Sequence, residues 1–201
     1  MFNAKKHSLP CYCTIFLPSV RNLRTHTRVL PIHIHEALQK WAMVTKEKST
    51  SALSYNPSYQ CFWSDRQRDA VFGAYYRPLA TKFTGFSMCH PIYDDGVMLD
   101  LIKHALHSSL AAQTATATFM FLPNWKGMST NAYMKVVNDH PESCTILGQI
   151  PQTSVTYGQS QGWVGAPNVL PPPRWGMNII VIWNGEARKQ LLKQILAGTR
   201  D

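Results

Sequence analysis

Apolar runs in the second half of the chain predict the strands of a buried sheet. Residues 115–122 form a continuous stretch of small, β-branched and aromatic side chains, and residues 177–183 form another. Runs of this kind are typical of strands that are covered on both faces. Shorter apolar segments predict strands at residues 84–89 and 143–150, and one more at residues 11–17.

Helical periodicity separates these runs. Apolar positions recur at helical spacing over residues 96–110, and Asp94 and Asp95 precede them as candidates for the N-cap. Weaker patterns of the same kind predict helices over residues 34–46, 131–138 and 186–196. Residues 47–60 are rich in Ser, Thr, Asn and Pro and predict a loop.

The order of these elements predicts an α/β fold. Strands and helices alternate until the last two strands, which is typical of a mostly parallel, Rossmann-like sheet with an antiparallel C-terminal strand. We expect one compact domain over residues 51–201, preceded by a basic segment with one helix over residues 1–50. Because such sheets bind ligands beyond the carboxyl ends of their strands, loops 89–95, 123–130 and 184–186 become candidate sites.

The formal charge of +9 is unevenly distributed along the chain. Residues 1–83 hold 12 Lys and Arg against 4 Asp and Glu, whereas residues 84–201 hold 8 against 7. A basic block of this kind predicts contact with the phosphates of a nucleic acid, and Arg66 and Arg68 are candidate contacts. The alternative is an ordinary solvated basic surface.

Cysteine and histidine usage predicts neither a disulfide framework nor a metal site. Five cysteines are scattered along the chain, and an odd, dispersed set indicates a reducing, intracellular compartment. Cys11 and Cys13 could join His33 and His35 around zinc, but both spacings are poor for that metal. No apolar run is long enough for a transmembrane helix.

The segment that follows the strand at residues 84–89 carries the chemistry of most interest. It runs Cys89-His90-Pro91-Ile92-Tyr93, from a strand through a proline turn and an aromatic residue into a helix. It resembles the Asn/Asp-Pro-Pro-aromatic turn of adenine amino-methyltransferases, which implies acceptors for the exocyclic amine and an aromatic ring on which the base stacks.

Several ordered segments resemble one family of enzymes. They are Asp69-x-x-Phe72-Gly73-Ala74, the turn that ends at Tyr93, the helix that follows it, and an apolar strand that ends in Pro123-Asn124-Trp125. In this order, from about residue 50 to residue 184, they resemble the phosphorylated-CTD-interacting-factor family of cap-adjacent adenosine N6-methyltransferases. The resemblance implies a Rossmann-like methyltransferase sheet, S-adenosylmethionine as cofactor, RNA rather than DNA as the favoured substrate, and a nuclear location.

The resemblance also implies roles for individual residues. We place Cys89 at the family's Asn, His90 and Pro91 at its two prolines and Ile92 at its Phe, with Tyr93 one step later as the stacking ring. Trp125 is then a candidate for the adenine pocket, and the alternative is a ring that caps the sheet. The candidates for the cofactor side are Asn56, Pro57, Phe72 and Gly73.

Other interpretations stay open at this point. The turn lacks the family's amide, so the protein is either an active enzyme with a substitute acceptor or an inactive relative. A second hypothesis is a non-catalytic module that binds nucleic acid, and a third is a truncated fragment of a mobile-element polyprotein. Asn56-Pro57-Ser58-Tyr59 is a rival place for the catalytic turn, or an ordinary Asn-Pro turn.

Overall fold

The computed structural model describes residues 28–30, 32–50, 59–64, 66–125, 132–154, 158–159 and 175–198. The strand expected at residues 11–17 lies outside these ranges. Asn56 and Pro57, two of the candidates for the cofactor side, also lie outside them.

Seven strands form one mixed sheet. A separate short antiparallel pair consists of β1 (Arg28–Val29) and β8 (Gly158–Gln159). The strands of the large sheet are β2 (Lys46–Lys48), β3 (Cys61–Ser64), β4 (Tyr75–Tyr76), β5 (Phe86–Cys89), β6 (Ala117–Asn124), β7 (Cys144–Ile150) and β9 (Gly176–Trp183). Their order across the sheet is β4-β3-β2-β5-β6-β9-β7. The pairings from β4 to β6 are parallel, and β9 runs antiparallel between β6 and β7. This arrangement confirms the predicted Rossmann-like α/β sheet.

The strand order reverses at the boundary between β2 and β5. The chain first builds outward from β2 through β3 to β4, then returns to lay β5 on the other side of β2 and continues to β6. Sheets of this kind bind their ligands in the crevice outside the carboxyl ends of the strands at such a reversal. We therefore expect a ligand site among the residues that follow β2 and β5.

Helices cover both faces of the sheet. Side chains on β6 alternate between the two faces, so Phe119 and Phe121 enter one core cluster while Met120 and Leu122 enter the other. The first cluster includes residues of α1 (Ile32–Ala42) and α4 (Gly185–Gly198), and the second those of α2 (Asp95–Leu110) and α3 (Ala132–Asp139). This burial on both faces explains the continuous apolar runs of β6 and β9.

The prediction for residues 34–60 was wrong in one important respect. The first helix ends at Ala42, where Met43 adopts a left-handed φ of 54°, and Lys46–Lys48 then forms a strand rather than the end of a helix and the start of a loop. This strand pairs with β3 on one side and β5 on the other. The large sheet therefore includes residues that precede position 51.

None of the helices in the described ranges is long and apolar enough to cross a membrane.

Candidate functional site

The candidate site lies at one edge of the sheet. The carboxyl ends of β2, β5 and β6 meet there, since Lys48 pairs in register with Cys89, and Cys89 with Met120. The start of β9 lies at the same edge because β9 is antiparallel, and Asn124 pairs with Gly176. The turns after β5 and β6 and the residue before β9 are therefore neighbours.

The turn after β5 begins one residue later than the sequence placement assumed. Cys89 is the last residue of β5 and has no exposed surface, because its thiol lies in the core cluster beneath α2. It cannot present an acceptor at the mouth of a pocket, so its placement at the family's Asn is corrected. His90 is the first residue beyond the strand and is half-buried, and it is followed by a buried Pro91 and an exposed Ile92.

Tyr93 completes this turn and is held in place on two sides. Its hydroxyl lies 2.8 Å from Nε2 of His90, and the two ring centroids are 5.6 Å apart. The Tyr93 ring packs against both core clusters, which places it over the end of the sheet rather than on one face. The next residue, Asp94, caps α2 by accepting a hydrogen bond from the backbone N–H of Val97 at 3.0 Å.

Two tryptophans extend Tyr93 into a group of aromatic rings. The ring of Trp175 packs edge-on against Tyr93, with centroids 6.1 Å apart and an interplanar angle of 81°. It makes a similar contact with Trp125, at 6.4 Å and 82°. We call His90, Tyr93, Trp125 and Trp175 the ring cluster. The structure thus brings together the two stacking candidates, Tyr93 and Trp125, through a third ring.

A buried polar network supports the end of β6 that carries Trp125. The hydroxyl of Tyr133 donates a 2.7 Å hydrogen bond to the carbonyl of Pro123 and accepts one of 3.1 Å from Nδ2 of Asn178. Burial raises the pKa of Tyr133, so the phenol keeps the proton that it donates. These bonds hold the last residues of β6 in place, and Trp125 follows them directly.

The turn after β3 holds the remaining sequence candidates. Ser64 donates a 2.8 Å hydrogen bond to the buried carboxylate of Asp69 and accepts one of 3.1 Å from the backbone N–H of Arg66. A 3₁₀ helix, Gln67–Phe72, follows, and Gly73 ends it with a φ of 88° that favours glycine.

Arg66 is half-buried and Arg68 is exposed in this turn. The turn belongs to β3, so it is separated from the ring cluster by β2 and β5.

Lys48 is the last residue of β2, the strand that lies between β3 and β5. Its side chain is only 1 % exposed, and Nζ lies 2.9 Å from the centroid of the Trp63 ring and 4.9 Å from that of Phe83. Burial lowers the pKa of this amine to about 7, and the nearby charge of Lys46 acts in the same direction. The next residue, Ser49, is also buried and has a left-handed φ of 55°.

Trp175 and Lys48 are the two residues at this edge that the sequence predictions missed. Trp175 could have been found, because an antiparallel last strand must begin where its parallel neighbours end. The strand over residues 177–183 and its direction were both predicted, so the residue just before it belonged at the ligand-binding edge. Lys48 was missed because a Lys-Glu-Lys segment does not resemble a buried strand.

No protein-family model matches the chain, and none of the curated proteins compared with it is similar. Within the described ranges, no group of three or more His, Cys, Asp and Glu side chains is arranged to hold a metal ion.

Proposed function

We propose that this protein is an S-adenosylmethionine-dependent methyltransferase-like protein that acts on the N6 amine of adenine in RNA. The observation that carries the proposal is the ring cluster at the carboxyl ends of β5 and β6. It lies beside the reversal of strand order, in a sheet whose last strand is antiparallel, as the family resemblance implies.

A shift of one residue improves the match of the turn to the family motif. Because β5 ends at Cys89, His90 falls at the family's Asn, Pro91 and Ile92 at its two prolines, and Tyr93 at its Phe. This register puts an aromatic ring at the stacking position without any displacement. It also puts a side chain with a hydrogen-bonding nitrogen, rather than a thiol, where the amide stands in the family.

The side chains of the turn then have distinct roles. Tyr93 offers a ring on which an extruded adenine stacks, with Trp125 and Trp175 as further apolar walls that exclude water. The exocyclic amine donates its hydrogens to acceptors at the turn, namely an imidazole nitrogen of His90 or the backbone carbonyl beside Pro91. The hydrogen bond between His90 and Tyr93 keeps the acceptor and the ring in one geometry.

The cofactor side is proposed to lie beside β2 and β3. Lys48 ends β2, which is next to β5, while Gly73, with its left-handed φ, lies between the 3₁₀ helix that follows β3 and the start of β4. Phe72 and Gly73, with Asn56 and Pro57, are the positions that the resemblance assigns to this role. When bound, the cofactor supplies an electrophilic methyl group.

The test is methyl transfer from labelled cofactor to an adenosine-containing RNA and to a DNA of the same sequence. Tyr93→Ala should weaken substrate binding roughly 5- to 150-fold, which corresponds to about 1–3 kcal/mol of lost stacking. His90→Asn should raise turnover, because it restores an amide acceptor. Trp41→Ala, which removes an exposed ring on α1, is the matched control and should change neither quantity.

A non-catalytic module that binds nucleic acid is the second candidate. It is favoured by the sequence of the turn, which has neither an amide nor a carboxylate side chain from Cys89 to Tyr93. Such a module should bind RNA with an affinity that falls steeply as salt rises, since phosphate contacts release counterions. If wild type and His90→Asn both bind RNA in this way but transfer no methyl group, the enzyme proposal is rejected and the module remains.

A further inference from the structure

Two exposed tyrosines form the edge of the large sheet that lies farthest from the ring cluster. Among the described strands, only β3 pairs with β4, and both residues of β4 are tyrosines. Tyr75 is 57 % exposed and Tyr76 is 40 % exposed. The apolar residues Val71 and Leu79, on either side of β4 in the chain, are exposed as well. Large apolar surface that gathers in one part of a fold is typical of a place where another molecule binds.

Tyr75 is the outer ring of a stacked pair. It lies opposite Trp63 of β3, and the two ring centroids are 4.9 Å apart with an interplanar angle of 26°. Trp63 is buried, so it supports one face of the Tyr75 ring from within the fold. A ring that is supported on one face and exposed on the other suits a planar base, and stacking accepts any base because every base has a π face.

Arg77 follows the two tyrosines and is held in place by its backbone. Its N–H donates to the carbonyl of Ser64 at 3.0 Å, and its own carbonyl accepts from the N–H of Ala80 at 3.0 Å. Its left-handed φ of 58° is strained for a residue that has a side chain. The guanidinium carbon lies 5.1 Å from the centroid of the Tyr76 ring, and the side chain is exposed. The turn therefore holds a positive charge beside this ring.

The charge in this part of the chain is mostly positive. Residues 61–82 hold four Lys and Arg against two Asp. The carboxylate of Asp69 is buried and accepts a hydrogen bond from Ser64, while Asp65 lies outside the described residues. The exposed basic side chains are Arg68, Arg77 and Lys82. Aromatic rings among basic side chains are typical of sites for single-stranded nucleic acid, whereas a second copy of this chain would bring like charges together.

We propose that the edge of the sheet at β4 binds single-stranded nucleic acid, with a base stacked on the exposed face of Tyr75 and a phosphate beside Arg77. The order β4-β3-β2-β5 puts this site about 14 Å from the turn after β5, at the usual spacing of strands. Because these strands are parallel, both sites lie at the carboxyl edge of the sheet. The inference goes beyond the proposed function, since binding here needs neither an adenine nor methyl transfer.

Fluorescence anisotropy with a labelled, single-stranded oligouridine tests the site without an adenine. Tyr75→Ala should weaken binding roughly 5- to 150-fold because it removes the stacking face, and Tyr75→Phe should bind as wild type does. Arg77→Gln should weaken binding and reduce the slope of log affinity against log salt by about 0.7, the value for one phosphate of a single strand. An oligothymidine of the same length should show the same losses, since neither contact involves the 2′-hydroxyl.

Two exposed side chains elsewhere provide matched controls. Trp41→Ala removes a ring on α1 and Lys193→Gln removes a charge on α4, and both should leave the affinity and the salt slope unchanged. The site is rejected if wild type does not bind oligouridine at low salt, or if Arg77→Gln keeps the slope of the wild type. It is also rejected if folded Tyr75→Ala, checked by circular dichroism, keeps the affinity of the wild type.

The same variants separate this inference from the proposed function. Loss of oligouridine binding in Tyr75→Ala and Arg77→Gln, in a protein that transfers no methyl group to any adenosine-containing RNA, supports this site and rejects the enzyme. Methyl transfer by a protein whose oligouridine binding is unchanged in both variants supports the enzyme and rejects this site.

Discussion

Replacing Lys48 with methionine should make the protein more stable at neutral pH. The two side chains have similar length and volume, so methionine can fill the space beside Trp63 and Phe83 without a cavity. The substitution removes an amine that burial holds at a pKa of about 7, against 10.5 in the unfolded chain. Each pKa unit corresponds to about 1.4 kcal/mol, so burial of Lys48 costs about 4 kcal/mol of stability at pH 7.

The stability that Lys48→Met gains over wild type should also depend on pH. The unfolded chain holds the lysine proton up to pH 10.5, whereas the folded protein releases it near pH 7. The unfolded state therefore binds more protons between these values, and the stability of the wild type should rise as pH increases through that window. The advantage of Lys48→Met should accordingly shrink from about 4 kcal/mol at pH 7 to about 1 kcal/mol at pH 10.

Urea unfolding at pH 7 and pH 10, followed by far-ultraviolet circular dichroism, measures both effects. The comparison uses the difference between variant and wild type at each pH, so that other titrating groups cancel. Lys46→Met on the same strand serves as the control and should show no comparable gain. The reasoning is refuted if Lys48→Met is less stable than wild type at pH 7, or if its advantage is the same at both pH values.

Two further predictions concern residues that stabilise the fold. Burial lowers the pKa of His35 from 6.5 to about 4. The unfolded chain therefore takes up this proton at a higher pH than the folded protein does, and the free energy of unfolding should fall by about 3 kcal/mol as the pH falls from 6.5 to about 4. Acid unfolding of His35→Gln should lack this loss, while His33→Gln, an exposed change on the same helix, should retain it. Asn184→Ala should cost about 1–3 kcal/mol in urea unfolding, because Oδ1 accepts from the N–H groups of Ala187 and Thr116 at 3.0 and 3.2 Å. Asn138→Ala, an exposed change on α3, should cost less than about 0.5 kcal/mol, and equal losses would contradict the assignment.

The strands that the sequence predicted correctly share one physical property. Residues 117–122 and 177–183 are apolar at every or nearly every position because helices cover both faces of the sheet, and that pattern is visible without any knowledge of partners. Lys46–Lys48 could not be found in this way. Its strand conformation depends on parallel neighbours on both sides, and its lysine is accommodated by Trp63, which is distant in sequence.

The turn between β5 and α2 was predicted at its observed place in the chain. The sequence placed a proline turn and a stacking ring after a buried strand, and the structure has Tyr93 there beside His90. The predicted strand ended at Cys89, as it does in the structure, but the placement on the family motif also counted Cys89 as the first residue of the turn. A placement one residue later puts an imidazole, rather than a buried thiol, at the turn.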